Sequence, residues 1–241
     1  MLSNQDLLNL TGKVTIVTGG AAGIGYGIAA RLAEAGASVV IADIDGAKAT
    51  ISAASLMEKG LKAFDYQLDI ADEGSVKTLM DFVASRFGTL DILINNAGIY
   101  PWLPIAQMTS ADFDRIMGVN LRGAFLCLKY ASEKMIASGN GGRIINLTST
   151  VNEASKHGLL GLTKSAALEY APHKITINSV APGMISTPGT SNVQGVDPAK
   201  LPLQRQGDID EIGKVVLFLA SDMSSYMTGT EIVVDGGELL S

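Results

Sequence analysis

The sequence has one cysteine among its 241 residues, Cys127. No disulfide can therefore form within the chain, which fits a reducing compartment. Cys127 lies in the apolar run AFLCLKY. A small core residue is a better interpretation there than a nucleophile, because isolated apolar surroundings do not activate a thiol.

The sequence also lacks long apolar runs and an excess of positive charge. No run reaches the length that spans a bilayer. The N-terminus, MLSNQDLLNLTGK, lacks the basic region followed by an apolar stretch that marks a signal peptide. The net charge of −6 gives no reason to expect nucleic acid or an acidic membrane surface as a partner. We therefore expect a soluble, cytoplasmic protein that binds neither nucleic acid nor membrane.

No linker, repeat or low-complexity tract interrupts the chain. Hydrophobic residues make up 47% and charged residues 17%, which is enough for a large buried core. Apolar strand patterns alternate with helical patterns along the whole length, and this alternation is typical of a doubly wound parallel sheet. We expect a single α/β domain over residues 1–241.

The most informative stretch is VTIVTGGAAGIG, residues 14–25. Val14 to Val17 suit a buried parallel strand, three glycines follow at 19, 23 and 25, and a helical pattern begins at Ile24. Glycine lets the backbone approach a pyrophosphate, and a helix N-terminus offers free N–H groups with a partial positive charge. An ordinary strand-to-helix turn is the alternative.

A second apolar strand, Ser38 to Ala42, ends at Asp43, close to where a ribose-binding carboxylate follows the glycine turn of a dinucleotide fold. Such a carboxylate accepts hydrogen bonds from both ribose hydroxyls but repels a 2′-phosphate, and no Arg or Lys stands in the turn to compensate. Asp43 therefore favours NAD over NADP.

Polar residues follow the next two strands. Strand Ala63 to Leu68 ends at Asp69, which is either a ligand contact or part of a helix cap. After Leu93 and Ile94 comes the turn Asn95 to Gly98, whose asparagines can bond neighbouring backbone and hold a turn beside a ligand.

The loop YPWLP, with Tyr100 and Trp102, either lines an apolar pocket or packs as an ordinary loop. A long helix follows over about 111–137. Asn120 lies inside this helix, and an asparagine there suggests a kink or a specific hydrogen bond.

The last third of the sequence carries further candidates. Strand Arg143 to Leu147 leads through Ser149 to a helix near Ala154, with Lys156 in its first turn. A solvated lysine is an odd choice there, because it opposes the helix dipole. The polar segment 184–206 reads as a substrate lid. No metal site is predicted.

Together these pieces resemble the short-chain dehydrogenase/reductase family over nearly the whole chain. The matching motifs are TGGAAGIG at 18–25, NNAG at 95–98, VNLRG at 119–123, GRIINLTS at 142–149, EASK at 153–156, APG at 181–183 and TGTEIVVDGG at 228–237. The resemblance implies a Rossmann-type, seven-stranded parallel sheet with helices on both faces, a nicotinamide dinucleotide cofactor and a homotetramer built through helices near 111–137 and 155–171.

The resemblance also implies the roles of individual residues. Family members move a hydride between nicotinamide and a carbonyl carbon, while a tyrosine exchanges the proton beside a lysine. Here Asn120, Ser149 and Lys156 would be catalytic, and Tyr100, Trp102 and Met184 would line the substrate pocket. The cofactor would contact Gly19, Gly23, Ile24, Gly25, Asp43, Ile44, Asp69, Ile70, Asn96, Ala97, Gly98, Lys156, Pro182, Gly183, Ile185 and Thr187.

One expected residue is absent. The family tyrosine precedes the lysine by four positions, and Asn152 stands there, while the interval from Ser149 to Lys156 is about ten residues short. Either the chain is shortened and the proton donor lost, or the printed sequence omits a segment ending in a tyrosine just before Glu153. We favour the omission, because a deletion would pull the strand end into the helix start. Tyr100 and Tyr170 lack the helical offset from Lys156 that a substitute needs.

The sequence therefore predicts an NAD-dependent alcohol dehydrogenase or ketone reductase for a secondary alcohol or ketone that is apolar, cyclic or aromatic. A catalytically silent dinucleotide-binding sensor or scaffold is the alternative if the tyrosine is truly missing.

Overall fold

The computed structural model describes residues 3–101, 103–151, 153–189 and 198–240. Seven strands form one sheet in the order β3-β2-β1-β4-β5-β6-β7, and each of the six pairings between neighbours is parallel. The strands are β1 Val14–Thr18, β2 Ser38–Asp43, β3 Ala63–Gln67, β4 Ile92–Asn95, β5 Gly142–Leu147, β6 Ile175–Pro182 and β7 Glu231–Val234. The predicted seven-stranded parallel sheet is confirmed.

Helices cover both faces of the sheet. In the described chain they are α1 Asn4–Leu7, α2 Gly23–Glu34, α3 Gly46–Glu58, α4 Glu73–Phe87, α5 Ser110–Met117, α6 Ala124–Ser138, α7 Ala154–Tyr170 and α8 Ile209–Ala220. Side chains of α2, α3 and α8 form one buried cluster with the sheet, and those of α4, α6 and α7 form the other. Cys127 is fully buried in the second cluster, which raises the pKa of its thiol to about 12 and confirms it as a core residue. None of these helices is long and apolar enough to cross a membrane.

The strand order determines where the sheet has a crevice that can bind a ligand. The chain runs from β1 outward to β3 on one side and from β4 outward to β7 on the other. The connections that follow β1 and β4 therefore diverge, and they leave a crevice at the carboxyl ends of these two strands, where open α/β sheets bind ligands. The glycine turn and the NNAG turn both lie at this edge.

The prediction of one continuous helix over 111–137 is wrong for the middle of that range. α5 ends at Met117, and a π-helical turn over Gly118–Gly123 separates it from α6. Such wide turns are frequent at functional sites, because they redirect a side chain out of the regular helical register. Asn120 is buried within this turn, which confirms the irregularity that an asparagine in mid-helix suggested.

Candidate active site

Gly19 and Gly25, in the glycine turn between β1 and α2, have no room for a side chain. Gly19 has φ +62°, and a Cβ there would lie 2.8 Å from the Cα of Ala97. A Cβ on Gly25 would lie 2.1 Å from the carbonyl oxygen of Gly19. The N-cap residue of α2 is Ala22, which makes no side-chain capping bond. The first turn of α2 therefore has no cap from its own N-cap side chain, and its bare backbone suits an anion.

The NNAG turn is fastened to the glycine turn by Asn96. Its Nδ2 donates to the carbonyl oxygens of Thr18 and Gly19, at 2.9 and 3.0 Å. The hydroxyl oxygen of Thr18 in turn accepts from the backbone N–H groups of Asn96 and Ala97, both at 3.1 Å. This confirms that the asparagine holds the turn. Both amide hydrogens of Asn96 are used in doing so. Sequence reasoning named Thr18 only as the first residue of the motif TGGAAGIG and missed this contact.

Asp43 connects the end of β2 to the glycine turn. Its Oδ2 accepts from the N–H of Ala21 and its Oδ1 from the N–H of Asp45, both at 3.1 Å. A carboxylate has about four lone-pair positions, so two remain for other donors. Ile44, the next residue, is 67% exposed beside it. The carboxylate is thus fixed at the edge of the crevice, as the sequence predicted.

The adenine-side candidates after β3 differ from one another. Asp69 is exposed, and its Oδ1 accepts from the N–H of Ala71 at 2.9 Å. The cap of α4 is Asp72, so the capping alternative does not apply to Asp69. The side chain of Ile70 is buried, and a Cβ added to Gly123 would lie 2.8 Å from its Cδ1. Ile70 can therefore offer a ligand its backbone but not its side chain.

Lys156 is buried on the first turn of α7. It is 2% exposed, and its Nζ donates to the carbonyl oxygen of Leu147, at the end of β5, at 2.7 Å. This confirms that Lys156 is not a solvated surface lysine. Burial raises the pKa of Glu153, the N-cap residue of α7, and the charge of Lys156 partly opposes this shift. Ser149 lies just past β5, where its Oγ accepts from the N–H of Val151 at 3.1 Å.

Asn120 joins three segments of the site. Its Oδ1 accepts from the N–H of Ile99 at 2.8 Å, and its Nδ2 donates to the carbonyl oxygen of Ile99 at 3.0 Å and to Ser155 Oγ at 3.2 Å. Both amide hydrogens therefore have protein partners. Its Oδ1 accepts one hydrogen bond and keeps a second lone pair for one further donor. Sequence reasoning missed Ser155 and Ile99, because neither has a chemical signal of its own.

The residues at and after the end of β6 are hydrogen-bonded to neighbouring parts of the protein. The carbonyl oxygen of Pro182 accepts from Thr150, and the N–H of Gly183 donates to Val234 at 3.0 Å. These backbone groups of Pro182 and Gly183, two predicted cofactor contacts, are therefore used in hydrogen bonds within the protein. Ile185 is 4% exposed and forms a β-bridge with Gly207, which anchors the base of the predicted lid.

Thr187 lies over the glycine turn, since its Cγ2 is 3.6 Å from the position of a Cβ on Gly23. Met184 is half-buried, and its carbonyl oxygen accepts from the N–H of Gly207. Within the predicted lid over 184–206, positions 190–197 lie outside the described residues.

The predicted substrate loop reaches Lys156. The ring centroid of Tyr100 is 5.4 Å from Lys156 Nζ. Ile99, Tyr100, Pro101 and Ile116 of α5 line a cavity of about 290 Å³. Its charged members are Asp112 and Arg115. The pocket interpretation of this loop is supported, while Trp102 lies outside the described residues.

The connection from β5 to α7 closes in six residues, 148–153. Glu153 donates its N–H to the carbonyl oxygen of Val151 at 2.8 Å, and α7 begins at the next residue. Asn152 lies outside the described residues, and an omitted segment stays a prediction.

The geometry fits a dinucleotide. An uncapped helix N-terminus follows a glycine turn, a fixed carboxylate lies at the next strand end, and a buried lysine lies across the crevice. From Asp43 through the glycine turn to Lys156, these groups match the first ribose, the pyrophosphate and the second ribose of a dinucleotide.

Comparison with known proteins agrees with this geometry. The family model described as "Enoyl-(Acyl carrier protein) reductase" matches residues 19–238. Galactitol 2-dehydrogenase from Agrobacterium fabrum is 36% identical over 259 residues, covering 97% of this chain and 100% of the relative. Because that alignment is longer than the 241-residue chain, this chain lacks at least 18 positions that the relative has.

Two solved structures share the whole architecture. A short-chain type dehydrogenase/reductase from Mycobacterium marinum has TM-score 0.93 and 35% identity, covering 98% of both chains. A 7α-hydroxysteroid dehydrogenase complexed with NADH and 7-oxo glycochenodeoxycholic acid has TM-score 0.92 and 33% identity, also covering 98% of both. This chain belongs to the short-chain dehydrogenase/reductase family, and it is an oxidoreductase of that type.

Proposed function

We propose that this protein is an NAD-dependent dehydrogenase or reductase that transfers a hydride between the nicotinamide and a secondary alcohol or ketone. The observation that carries the choice of NAD is the position of Asp43. Its carboxylate is held by the N–H groups of Ala21 and Asp45 beside the glycine turn. A negative charge held there attracts the hydroxyls of an adenosine ribose and repels a 2′-phosphate.

Each part of the cofactor has residues that would hold it. The pyrophosphate would lie on the turn Gly19 to Gly25, and the adenine would lie between Ile44 and the Asp69–Ile70 backbone. Lys156 and the backbone of residues 96–98 would hold the nicotinamide ribose. Ile185 and Thr187 would hold the carboxamide.

Ser149, Lys156 and Asn120 would have different roles around the reacting carbon. When bound, the nicotinamide accepts or gives the hydride. The hydroxyl of Ser149 would donate a hydrogen bond to the substrate oxygen as its charge develops. Lys156 supplies a buried positive charge, and Asn120 fixes the Ile99 segment that faces the substrate.

The cavity beside Tyr100 supports an apolar, cyclic or aromatic substrate, because Ile99, Tyr100, Pro101 and Ile116 form most of its wall. The bile-acid ligand named for the neighbouring structure is of this kind. A screen of secondary alcohols tests the proposal, with cyclic, aromatic and open-chain polyol members and with NAD and NADP in parallel. We expect cyclic or aromatic alcohols with NAD to give the highest kcat/KM, and a preference for polyols would contradict the substrate class.

We also propose a single domain over residues 1–241, a cytoplasmic location and a homotetramer. An apolar groove where α7 meets the π-helical turn supports the assembly. The groove is lined by Leu121, Phe125, Gly158 and Leu162, and Leu168 further along α7 is 82% exposed. Light scattering of the purified protein measures the mass, and a monomer at every concentration would contradict the tetramer.

The alternative function is a dinucleotide-binding sensor or scaffold without catalytic activity. The named relatives do not favour it, since they are dehydrogenases by name. Cofactor binding without any turnover across the screen would be the result that favours it.

A further inference from the structure

The chain has six tyrosines. Five of them are placed by contacts or exposure elsewhere on the molecule. They are Tyr26 at Ser55, Tyr66 at Phe82, Tyr130 at Glu73, Tyr170 at the far end of α7 and the fully exposed Tyr226. Tyr170 is fourteen residues along α7 from Lys156, a separation of about 21 Å at the helical rise. Tyr100 is the tyrosine whose ring adjoins Lys156.

Two polar groups converge on Gly98, and Lys156 adjoins one of them. The hydroxyl oxygen of Tyr100 is 3.1 Å, and Asn120 Oδ1 is 3.3 Å, from the position that a Cβ on Gly98 would occupy. The Tyr100 ring centroid is 5.4 Å from Lys156 Nζ, within the distance of about 6 Å at which an ammonium is attracted to a ring face. The phenol, the lysine and the asparagine of a proton-exchange site are therefore neighbours, although their segments are distant in sequence.

The position of Tyr100 is held by its neighbours. Both backbone polar groups of Ile99 bond to Asn120, and Pro101 restricts the backbone of Tyr100. Tyr100 is also 49% exposed and lines the cavity assigned to the substrate. The half-exposed residue thus adjoins both the cavity and solvent, as a proton-exchanging group must.

We propose that, in the 241-residue chain as printed, where Asn152 stands four positions before Lys156, Tyr100 is the phenol that exchanges the substrate's proton. This inference rests on the proposed function. In oxidation, the carbinol C–H bond releases its electron pair with the hydride to the nicotinamide. The substrate O–H bond breaks as its proton passes to the phenolate oxygen of Tyr100, the C=O bond forms, and the phenol then passes the proton to solvent. Reduction runs the same steps in reverse, and Lys156 stabilises the phenolate charge.

The first test separates the hydroxyl from the ring. Tyr100→Phe keeps the ring over Lys156 and removes the hydroxyl, whereas Tyr226→Phe makes the same change at an exposed site. We expect Tyr100→Phe to lower kcat about 100-fold or more, the usual contribution of general acid–base catalysis, with the calorimetric affinity for NADH unchanged. Tyr226→Phe should match the wild type. Full activity in Tyr100→Phe overturns the inference, and so does loss of both activity and affinity, which would mark a structural role.

The second test needs no cofactor. Trinitrobenzenesulfonate labelling of the free protein, followed by peptide mass spectrometry, measures access to Lys156. We expect Tyr100→Ala to increase labelling of Lys156 severalfold and Tyr100→Phe to leave it unchanged. Equal labelling in Tyr100→Ala and wild type would show that the ring does not cover the ammonium.

The third test is mass spectrometry of the intact protein, which shows whether a segment is missing from the printed sequence. A mass above 25.1 kDa by about ten residues, with a tyrosine in the peptide before Glu153, would return the role to the helix and overturn the inference. Wild-type protein that binds no cofactor would instead refute the proposed function, and this inference with it. If the wild type binds the cofactor and Tyr100→Phe keeps the wild-type kcat, the inference is refuted but the proposed function is not.

Discussion

Replacement of Asp43 by Asn changes the charge beside the adenosine ribose while keeping the side-chain size. In the structure each carboxylate oxygen accepts one backbone N–H, from Ala21 and from Asp45. An amide keeps one of these bonds, because its NH₂ group cannot accept the other. We therefore expect a modest loss of stability, about 1–3 kcal/mol, which a thermal melt measures.

The effect on cofactor choice is larger. A hydrogen bond to a charged acceptor contributes about 1.5–3 kcal/mol, so NAD should bind about tenfold to hundredfold more weakly. For NADP, two like charges about 4 Å apart repel by about 1 kcal/mol in water and about 4 kcal/mol near a protein surface. Removal of this repulsion strengthens NADP binding. Together the ratio of NAD to NADP affinities should fall by about a hundredfold or more.

Calorimetric titration of the variant with each cofactor measures the ratio directly. Asp65→Asn is the matched control, since Asp65 is an exposed carboxylate on the neighbouring strand β3 and bonds to Thr50. The control should leave the ratio unchanged. An unchanged ratio in Asp43→Asn, with the protein still folded, would refute the ribose role of Asp43.

Further substitutions test other parts of the site and the fold. Lys156→Met should lower kcat about 100-fold or more at neutral pH in steady-state assays, and retained turnover would remove Lys156 from the mechanism. Gly25→Ala should abolish cofactor binding in calorimetry, because its Cβ would lie 2.1 Å from the Gly19 carbonyl oxygen; normal affinity would argue against a close backbone approach. The hydrogen bonds from Arg205 lower the pKa of Glu211 from 4.5 to about 2, so this carboxylate stabilises the fold above pH 4.5 and loses its contribution as pH falls towards 2. Urea midpoints of wild type and Glu211→Gln should therefore differ at neutral pH and converge over that range, and a constant difference would contradict the assignment.

The elements that the sequence predicted well are those with local signals. The strand, glycine turn and helix from Val14 onward have their periodicity and glycines within a dozen residues, and Asp43 ends a strand as expected. The buried position of Lys156 also followed from local electrostatics at the start of α7. Asn120 signalled an irregularity, but a single residue does not specify that the turn is π-helical.

Contacts between distant segments could not be predicted in the same way. The approach of Tyr100 to Lys156 depends on where the segment after the NNAG turn meets α7, and a search for a helical offset from Lys156 cannot reveal such a contact. The clamp from Asn96 to Thr18 depends on the pairing of β1 with β4. The inward side chain of Ile70 and the sheet bond of Gly183 depend on local backbone direction, which composition does not reveal.

The central claim is that a nicotinamide dinucleotide lies across the carboxyl ends of β1 and β4. Calorimetric titration of the purified protein with NAD, NADH, NADP and NADPH tests it most directly. We expect one dinucleotide bound per chain, with NAD and NADH binding more tightly than their phosphorylated counterparts. No measurable heat and no affinity for any of the four would contradict the account.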